Sequence, residues 1–529
     1  MSLEQPALYN YDKRQRVLGL ITIFLTYGTM SFSIQALNIA RPIIAANLDG
    51  MAIYAWSVSI PGLAGAVVTL IFGKLSDMYG RRIMLIISLI LCTAGSILSV
   101  LSTNFVFFIA VSAIRSFGIG AIMPLVFAIV GDMFAPVQRA KWIGLLQLPL
   151  GIASLFGPIL GGWFAGGWGW QYLFWITSFL FIICLFLVPI GIPALADRGL
   201  KRKIDVPGCL LMIVASSTAI IGISLGGVTY PWLSRPIIIL IIVSVISWTL
   251  FFLVEYRTKE PLLDPIVLRN RSFNTVVVAG FLGLFGQMGM MMYFPMFLQG
   301  VQGIDGTLSG VIFTPYPFLM ALVGVPAGFI IAKTRRYKWM YITGYAIVTI
   351  AMFSVIMLDE KTPVIISALI TTLAGLGLGA IPTVNTMVIQ NAVPKRILGA
   401  AMGASFFCLM MGVSISPAVL GSIEQSSYTR TLAASLPDEL TSRAEWETMT
   451  SLIDSQVLLS TPDMERLENS FKEMGSEGEA LFQPTVEAIR KAMSVGIKNV
   501  FWFGAIATLL SFLLITTIPE VPIGSKEEE

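Results

Sequence analysis

The ionisable residues beside or within long apolar segments are the ones whose chemistry matters most in this sequence. Arg115 lies inside the apolar run FFIAVSAIRSFGIGAIMP, and Asp77, Arg81 and Arg82 lie in the short segment GKLSDMYGRR between two apolar runs. A cation at membrane depth costs at least ~2.5 kcal/mol on insertion scales, so such a residue is normally kept for function. Histidine is absent, so any proton coupling must use carboxylates.

The remaining composition excludes several classes of function. The four cysteines lie in apolar segments and, without histidine, indicate no metal site and no cofactor. The basic residues form short scattered clusters and not one patch, so we expect no nucleic acid partner. The sequence has no phosphate-binding loop of the form G-x-x-x-x-G-K-[ST], so nucleotide hydrolysis is not expected and the chain is predicted not to be an enzyme.

The elements that position these residues are predicted to be membrane-spanning helices. The 529 residues are 56% hydrophobic and 12% charged, whereas a soluble protein has about 25% charged residues. Apolar runs of about 20 residues, long enough to cross a bilayer, recur along the chain. They predict an all-α polytopic membrane protein with fourteen spans, at 17-39, 52-73, 83-102, 105-130, 142-165, 170-193, 207-227, 236-255, 273-299, 308-332, 339-358, 363-389, 397-421 and 498-518.

The distribution of basic residues predicts the orientation of the spans. Most of the 34 lysines and arginines fall in segments that are cytoplasmic if the N-terminus is inside, while the short outer loops hold Arg41, Arg235 and Lys361. Both termini are therefore predicted to be cytoplasmic, in a bacterial-type cell membrane. The polar segment 422-498 then lies outside. It is predicted to be a helical hairpin or lid, or else a surface loop without function.

The loop between spans 2 and 3 carries a recognisable pattern. Its residues, Gly73-Lys-Leu-Ser-Asp77-Met-Tyr-Gly80-Arg81-Arg82, resemble the signature loop of the major facilitator superfamily, G-x-L-x-D-x-x-G-R-[RK]. In that family the aspartate lies near a helix N-terminus and pairs with basic residues, which stabilises the outward-open state. The resemblance implies that Asp77 is a gating residue, and a plain topogenic turn is the alternative.

Spans 4 and 5 resemble further motifs of the same superfamily. Arg115, followed by Gly118 and Gly120, is similar to the fourth-helix motif, whose arginine is thought to help proton transfer; a purely structural role is the alternative. Span 5 resembles the antiporter motif of the exporters, G-x8-G-x3-G-P-x2-G-G, with alanine in place of one glycine. The matching residues are Gly144, Ala153, Gly157, Pro158, Gly161 and Gly162.

Several weaker segments, including PLLDPIVLRNRSF before span 9 and Asp205-x-x-Gly208 before span 7, resemble the fourteen-helix drug:proton antiporter branch. This resemblance implies two six-helix bundles around a central cavity, with spans 7 and 8 inserted between them. It also implies export of amphipathic compounds in exchange for protons. We expect drugs or organic acids as substrates, and a monomer in membrane lipid as the working unit. The implied organisation is a cytoplasmic segment 1-16, bundles 17-193 and 273-518, a linker 194-272 with the inserted spans, and a tail 519-529.

Span 1 departs from the branch pattern. Ser33 stands where the branch commonly has an aspartate, and no Asp or Glu is predicted in the middle of any span. Proton coupling is therefore assigned to Asp77 or Asp132 near the cytoplasmic side, together with Arg115.

Polar residues within the spans are the expected substrate-binding residues. Ser31, Gln35 and Asn38 form one stripe on span 1 that Arg41 continues outwards. Together with Arg115, predicted to be the only buried full charge of the first bundle, this stripe predicts an electropositive cavity that favours anionic amphipaths. Alternatively, the stripe only bonds neighbouring helices. Further expected binding residues are Gln147, Gln287, Tyr293, Gln299, Asn385 and Gln390.

Two other functions are compatible with parts of the pattern. An importer or facilitator of organic anions would use the arginines of the first bundle, and the missing aspartate of span 1 favours it. A receptor or channel would use the outer segment 422-498 to bind a ligand, but it leaves the motifs unexplained.

Overall fold

Fourteen helices long and apolar enough to span a membrane make up the fold, as the apolar runs predict. The computed structural model describes residues 13–50, 53, 56–194, 205–226, 230–258, 261–436, 457–459 and 461–520. Within these ranges the spanning helices are α1 (Arg14–Asn47), α2 (Trp56–Tyr79), α3 (Arg81–Val100), α4 (Phe105–Met133), α5 (Pro136–Trp163), α6 (Gln171–Gly191), α7 (Val206–Ile223), α8 (Arg235–Arg257), α9 (Arg271–Val301), α10 (Leu308–Thr334), α11 (Lys338–Ile356), α12 (Val364–Ala392), α13 (Lys395–Ser435) and α14 (Gly478–Thr516).

The helices form two six-helix bundles, α1–α6 and α9–α14. In the first bundle α1 packs on α5 and α6, and α4 packs on α2 and α3; in the second, α14 packs on α9, α11 and α13. The two bundles meet where α2 packs on α13 and where α5 packs on α10. The remaining helices, α7 and α8, pack on each other, and α7 also contacts α2 and α13. We call α7 and α8 the inserted pair.

The loops α2–α3, α4–α5 and α12–α13 all lie at one end of the bundles. We call this end, which the basic residues predict to be cytoplasmic, the inner end, and the opposite end the outer end. Parts of the predicted cytoplasmic segments, namely 1–12, 195–204 and 521–529, lie outside the described residues.

At the outer end, α13 and α14 extend beyond the apolar runs that predicted spans 397-421 and 498-518. The two extensions pack together, because Asn499 donates a hydrogen bond to Ser427 (3.0 Å) and Gly496 lies against the backbone of Glu424. Hydropathy marks only the part of a helix that lies in lipid, so it misses such polar extensions. A short helix, Thr461–Glu473, precedes α14. The rest of the predicted hairpin, 437–456, lies outside the described residues.

Candidate functional site

The side chain of Asp77, at the inner end of α2, connects the two bundles. Its two carboxylate oxygens accept hydrogen bonds from the backbone N–H groups of Gly399 (2.9 Å) and Ala400 (2.7 Å), in the first turn of α13. The first N–H groups of a helix have no partner within the helix and carry partial positive charge, so they bind a carboxylate well. Asp77 therefore holds the second bundle against the first.

Arg81 ties Asp77 to a second acid. Its guanidinium lies 2.7 Å from Asp77 and donates a hydrogen bond to Asp132 of α4 (2.9 Å), and all three side chains are buried. Gly80 between the helices has φ 94°, a left-handed conformation that favours glycine. The structure thus brings Asp77, Arg81 and Asp132 into one cluster with Gly399 and Ala400, which we call the inner gate. Arg82 is half-buried beside it.

Glycines allow the two bundles to touch backbone to backbone at the inner end. A methyl group on Gly73 of α2 would lie 2.4 Å from the Gly399 carbonyl oxygen and 2.8 Å from Cα of Gly403. On the other side, a methyl group on Gly144 of α5 would lie 2.7 Å from the Gly324 carbonyl oxygen and 2.9 Å from Cα of Gly328. The inner end is therefore closed on both sides.

A cavity of about 230 Å³ lies between the two bundles. Its polar lining comes from phenols, amides and hydroxyls, namely Tyr27, Gln147, Gln287, Tyr345, Asn385, Thr386 and Ser405. Its apolar lining includes the methionines Met123, Met320, Met402 and Met410 with Phe127 and Phe406. None of the described lining residues is charged.

Three of the expected substrate-binding residues line this cavity: Gln147, Gln287 and Asn385. Asn385 accepts a hydrogen bond from the hydroxyl of Tyr341. The sequence analysis did not select Tyr27, although it lies one helical turn before Ser31 and continues the polar stripe of span 1 inwards. The lining methionines gave no such signal, because methionine is equally common in helix packing.

The other expected binding residues do not line this cavity. On span 1, Gln35 donates to Ser154 of α5 (3.1 Å), Asn38 is exposed, and Arg41 is half-buried. In the second bundle, Tyr293 is buried and Gln299 donates to Ser309 (3.3 Å). Gln390 donates across the bundle interface to the Phe127 carbonyl oxygen (2.9 Å), so it joins the bundles.

Arg115 faces the interior of the first bundle. It is 3% exposed, donates a hydrogen bond to Ser33 of α1 (2.5 Å) and lies over the ring of Phe174 of α6 (5.5 Å to the centroid). The position where the branch commonly has an aspartate is therefore the position that contacts Arg115.

Two expectations about charge in the first bundle need correction. Arg115 is not its only buried charge, because the side chains of Asp77, Arg81, Asp132 and Arg139 are also buried. All four lie at the inner end, where short loops and helix ends stabilise them. Arg115 is also absent from the lining of the described cavity, so it gives that cavity no positive wall.

The contact between Ser33 and Arg115 leads to a stability prediction. Ser33→Ala should destabilise the protein by about 1–3 kcal/mol, because a buried cation loses a hydrogen-bond acceptor. Ser31→Ala is the matched control, since Ser31 is also buried on α1 but its hydroxyl has no hydrogen-bond partner among the described residues. Thermal unfolding in detergent should show a lower Tm for the first variant only. Equal Tm values would show that Ser33 contributes nothing to holding Arg115.

The span 5 motif packs α5 closely on α1. A methyl group on Gly161 would lie 2.4 Å from the Ala36 carbonyl oxygen, and one on Gly157 would lie 2.7 Å from Cβ of Gln35. Gly162 faces Ile39, Ala153 is buried, and Pro158 lies inside the helix. Small residues at this spacing let two helix backbones approach. The motif thus forms one continuous contact within the first bundle, while Gly144 forms the contact with the second.

Comparison with known proteins agrees with this architecture. The family model described as Major Facilitator Superfamily matches residues 23–206 and 209–417. The chain is 28% identical to the multidrug transporter protein MdtP of Bacillus subtilis (strain 168), over 78% of this chain and 75% of that protein. It is 29% identical to multidrug resistance protein 3 of the same organism, over 79% and 80%. The crystal structure of the human organic anion transporter MFSD10 (TETRAN) matches with a TM-score of 0.60 at 12% identity, covering 94% of this chain and 99% of that chain, which shows a shared fold.

Proposed function

Because this chain belongs to the major facilitator superfamily, we propose that it exports amphipathic small molecules in exchange for protons by alternating access to its central cavity. Members of this family are transporters and not enzymes, and the two Bacillus subtilis relatives are named as multidrug proteins. The span 5 motif, which resembles that of exporters, supports the outward direction. We further propose a monomer in the cell membrane with both termini in the cytoplasm, following the distribution of basic residues.

The composition of the central cavity carries the proposal about substrate. Methionine and phenylalanine side chains form a permissive apolar wall, while Gln147, Gln287 and Asn385 offer hydrogen bonds without charge. Such a lining suits a molecule with an apolar body and a few polar groups. Its described residues supply no charged partner that would select an acid over a neutral compound.

The inner gate supports alternating access. Opening the cavity inwards requires the loss of the two hydrogen bonds from α13 to Asp77 and separation of the glycine contacts on both sides. Protonation of Asp77 would weaken its bonds to Gly399, Ala400 and Arg81, because each of them is strengthened by the negative charge. A proton arriving at the Asp77–Arg81–Asp132 cluster would thereby favour opening, and this gives the proposed coupling.

The alternative of an organic-anion importer has less support. It needs Arg115 or Arg41 as the partner of the substrate, but Arg115 is engaged by Ser33 and Phe174 and neither arginine lines the described cavity.

The proposal is tested by transport in inside-out vesicles with an imposed proton gradient. Uncharged amphipaths and lipophilic cations should be taken up while the gradient is dissipated. Uptake without any effect on the gradient would exclude antiport, and uptake confined to amphipathic acids would overturn the substrate class.

A pair of glutamine variants on α9 links this activity to the cavity. Gln287→Leu should raise KM by about fivefold for substrates with hydrogen-bonding groups, because a hydrogen bond contributes about 1 kcal/mol. Gln299→Leu is the control, since Gln299 lies on the same helix and bonds Ser309 away from the cavity lining. Equal KM values in the two variants would remove Gln287 from the substrate site.

A further inference from the structure

Two buried carboxyl groups meet at the inner end of the inserted pair. Asp205 caps the N-terminus of α7, where its Oδ1 accepts a hydrogen bond from the backbone N–H of Gly208 (3.0 Å). Glu255, near the end of α8, accepts hydrogen bonds from the backbone N–H groups of Leu262 (3.2 Å) and Leu263 (3.1 Å). Asp205 is 7% exposed and Glu255 is 3% exposed. Both acids are therefore withdrawn from water.

The two carboxyl groups border the same small space. A methyl group on Gly208 would lie 2.4 Å from Oδ2 of Asp205 and 2.8 Å from Oε1 of Glu255. Oδ2 of Asp205 is buried and has no hydrogen-bond partner among the described residues. A buried carboxylate oxygen without a donor among the described residues is unfavourable when the group is ionised.

In the described part of the chain, one positive charge faces the two acids. Among the described residues, Lys74 of α2 and the Cys209 thiol of α7 are the titratable groups that face the two acids, and Lys74 attracts Glu255. One lysine balances one of two carboxylates. Two carboxyl groups that share a site commonly keep a single proton, because like charges at short distance cannot both ionise.

We propose that Asp205 and Glu255 hold one proton between them, in the space that Oδ2 of Asp205 and Oε1 of Glu255 border. A proton in this space gives the unpartnered oxygen a hydrogen-bond partner and relieves the repulsion between the two carboxyl groups. A metal cation fits less well, since both oxygens of Glu255 already accept backbone hydrogen bonds and Lys74 already supplies a positive charge.

The position of the pair links this proton to the inner gate. Helix α7 packs on α2 and α13, the two helices that Asp77 connects, and Lys74 lies three residues before Asp77 on α2. A relative movement of α2 and α13 on gate opening changes the surroundings of Lys74 and hence of the acid pair. Gate opening and proton binding must then affect each other equally. This link rests on the proposed function, whereas the proton site itself rests only on the geometry of the inserted pair.

Infrared difference spectroscopy during a pH titration tests the site without any transport. In purified protein in lipid nanodiscs, we expect a protonated-carboxyl band at about pH 7, where ordinary Asp and Glu are ionised. The band should be lost in Asp205→Asn and in Glu255→Gln, whose amides imitate the protonated groups. Asp264→Asn is the control, because Asp264 lies in the same linker and accepts an exposed hydrogen bond from the backbone N–H of Ile266 at the start of a short helix. A spectrum that is the same in all four proteins, or a band that Na⁺ displaces at constant pH, would overturn the proposal.

The link to the gate has its own measurement. Asp77→Asn should shift the pH midpoint of the band by roughly half a unit or more, which is about threefold in proton affinity. An unmoved midpoint would overturn the link and leave the proton site standing. Because the vesicle assay measures transport and the infrared band does not, either proposal can fail without the other.

Discussion

Asp77→Asn is expected to reduce the rate of transport by about tenfold or more, while membrane insertion and folding stay near normal. The amide keeps one acceptor oxygen, but its NH₂ group faces the N–H donors of Gly399 or Ala400, and the ion pair with Arg81 is lost. Hydrogen bonds to a charged group contribute about 1.5–3 kcal/mol each. Gly399 and Ala400 belong to the opposite bundle, so the loss falls on the closed inner gate and not on the fold of either bundle.

The conformation of the Asp77→Asn variant can be read from a cysteine in the cavity. Ser405 lines the central cavity, so Ser405→Cys places a thiol there in a background without the four native cysteines. A membrane-impermeant thiol reagent applied to inside-out vesicles reaches this thiol only when the inner end opens. The variant should react faster than the parent. Asp359→Asn, in an exposed loop turn where Asp359 bonds Thr362, should change neither labelling nor transport. Full transport by Asp77→Asn would remove Asp77 from the gate.

The sequence was sufficient to predict the arrangement of spans, because the length and flanking charges of each span are local features. Span length follows from the thickness of the bilayer, and alternation of basic loops follows from the positive-inside rule, so all fourteen spans could be predicted. The loop from Gly73 to Arg82 is also one continuous segment, and its pattern needs no knowledge of distant residues. The polar extensions of α13 and α14 lie in the segment 422-498, for which local helix signals predict a helical hairpin. Hydropathy could not show that they continue the spans, because they do not lie in lipid.

The candidate sites depend on contacts between segments that are distant in sequence, and these contacts cannot be read from a single sequence. Nothing near Asp77 indicates that its partners are the N–H groups of Gly399 and Ala400, more than 300 residues later. For the same reason, Gln35 could not be distinguished from Gln287 by type or by depth in its span, although only Gln287 lines the described cavity. The direction of each polar side chain depends on how its helix is turned about its own axis within the bundle. This orientation is set by packing against the neighbouring helices.

The second large effect on transport is expected from Gly73, whose backbone lies against Gly399 and Gly403 beside the inner gate. Gly73→Ala should reduce transport about as strongly as Asp77→Asn, because the new methyl group meets the backbone of Gly399 and Gly403 and no flexible side chain can move aside. Overpacking of this kind costs about 1–3 kcal/mol, roughly 5- to 150-fold in an equilibrium. Here it falls on the closed inner end, since the atoms that crowd the methyl group belong to α13 of the other bundle.

Gly62→Ala is the matched control for this variant. Gly62 lies on the same helix α2, and a methyl group there would have no atom within 4 Å. Alanine favours a helix over glycine by about 1 kcal/mol, so both variants gain the same helix propensity and differ only in the contact with α13. Gly73→Ala should therefore lose transport and expose Ser405→Cys to the thiol reagent from the inner side, while Gly62→Ala keeps transport and protection. If both variants transport normally, α2 and α13 need not touch at Gly73 during the cycle, and closure of the inner end does not depend on this contact.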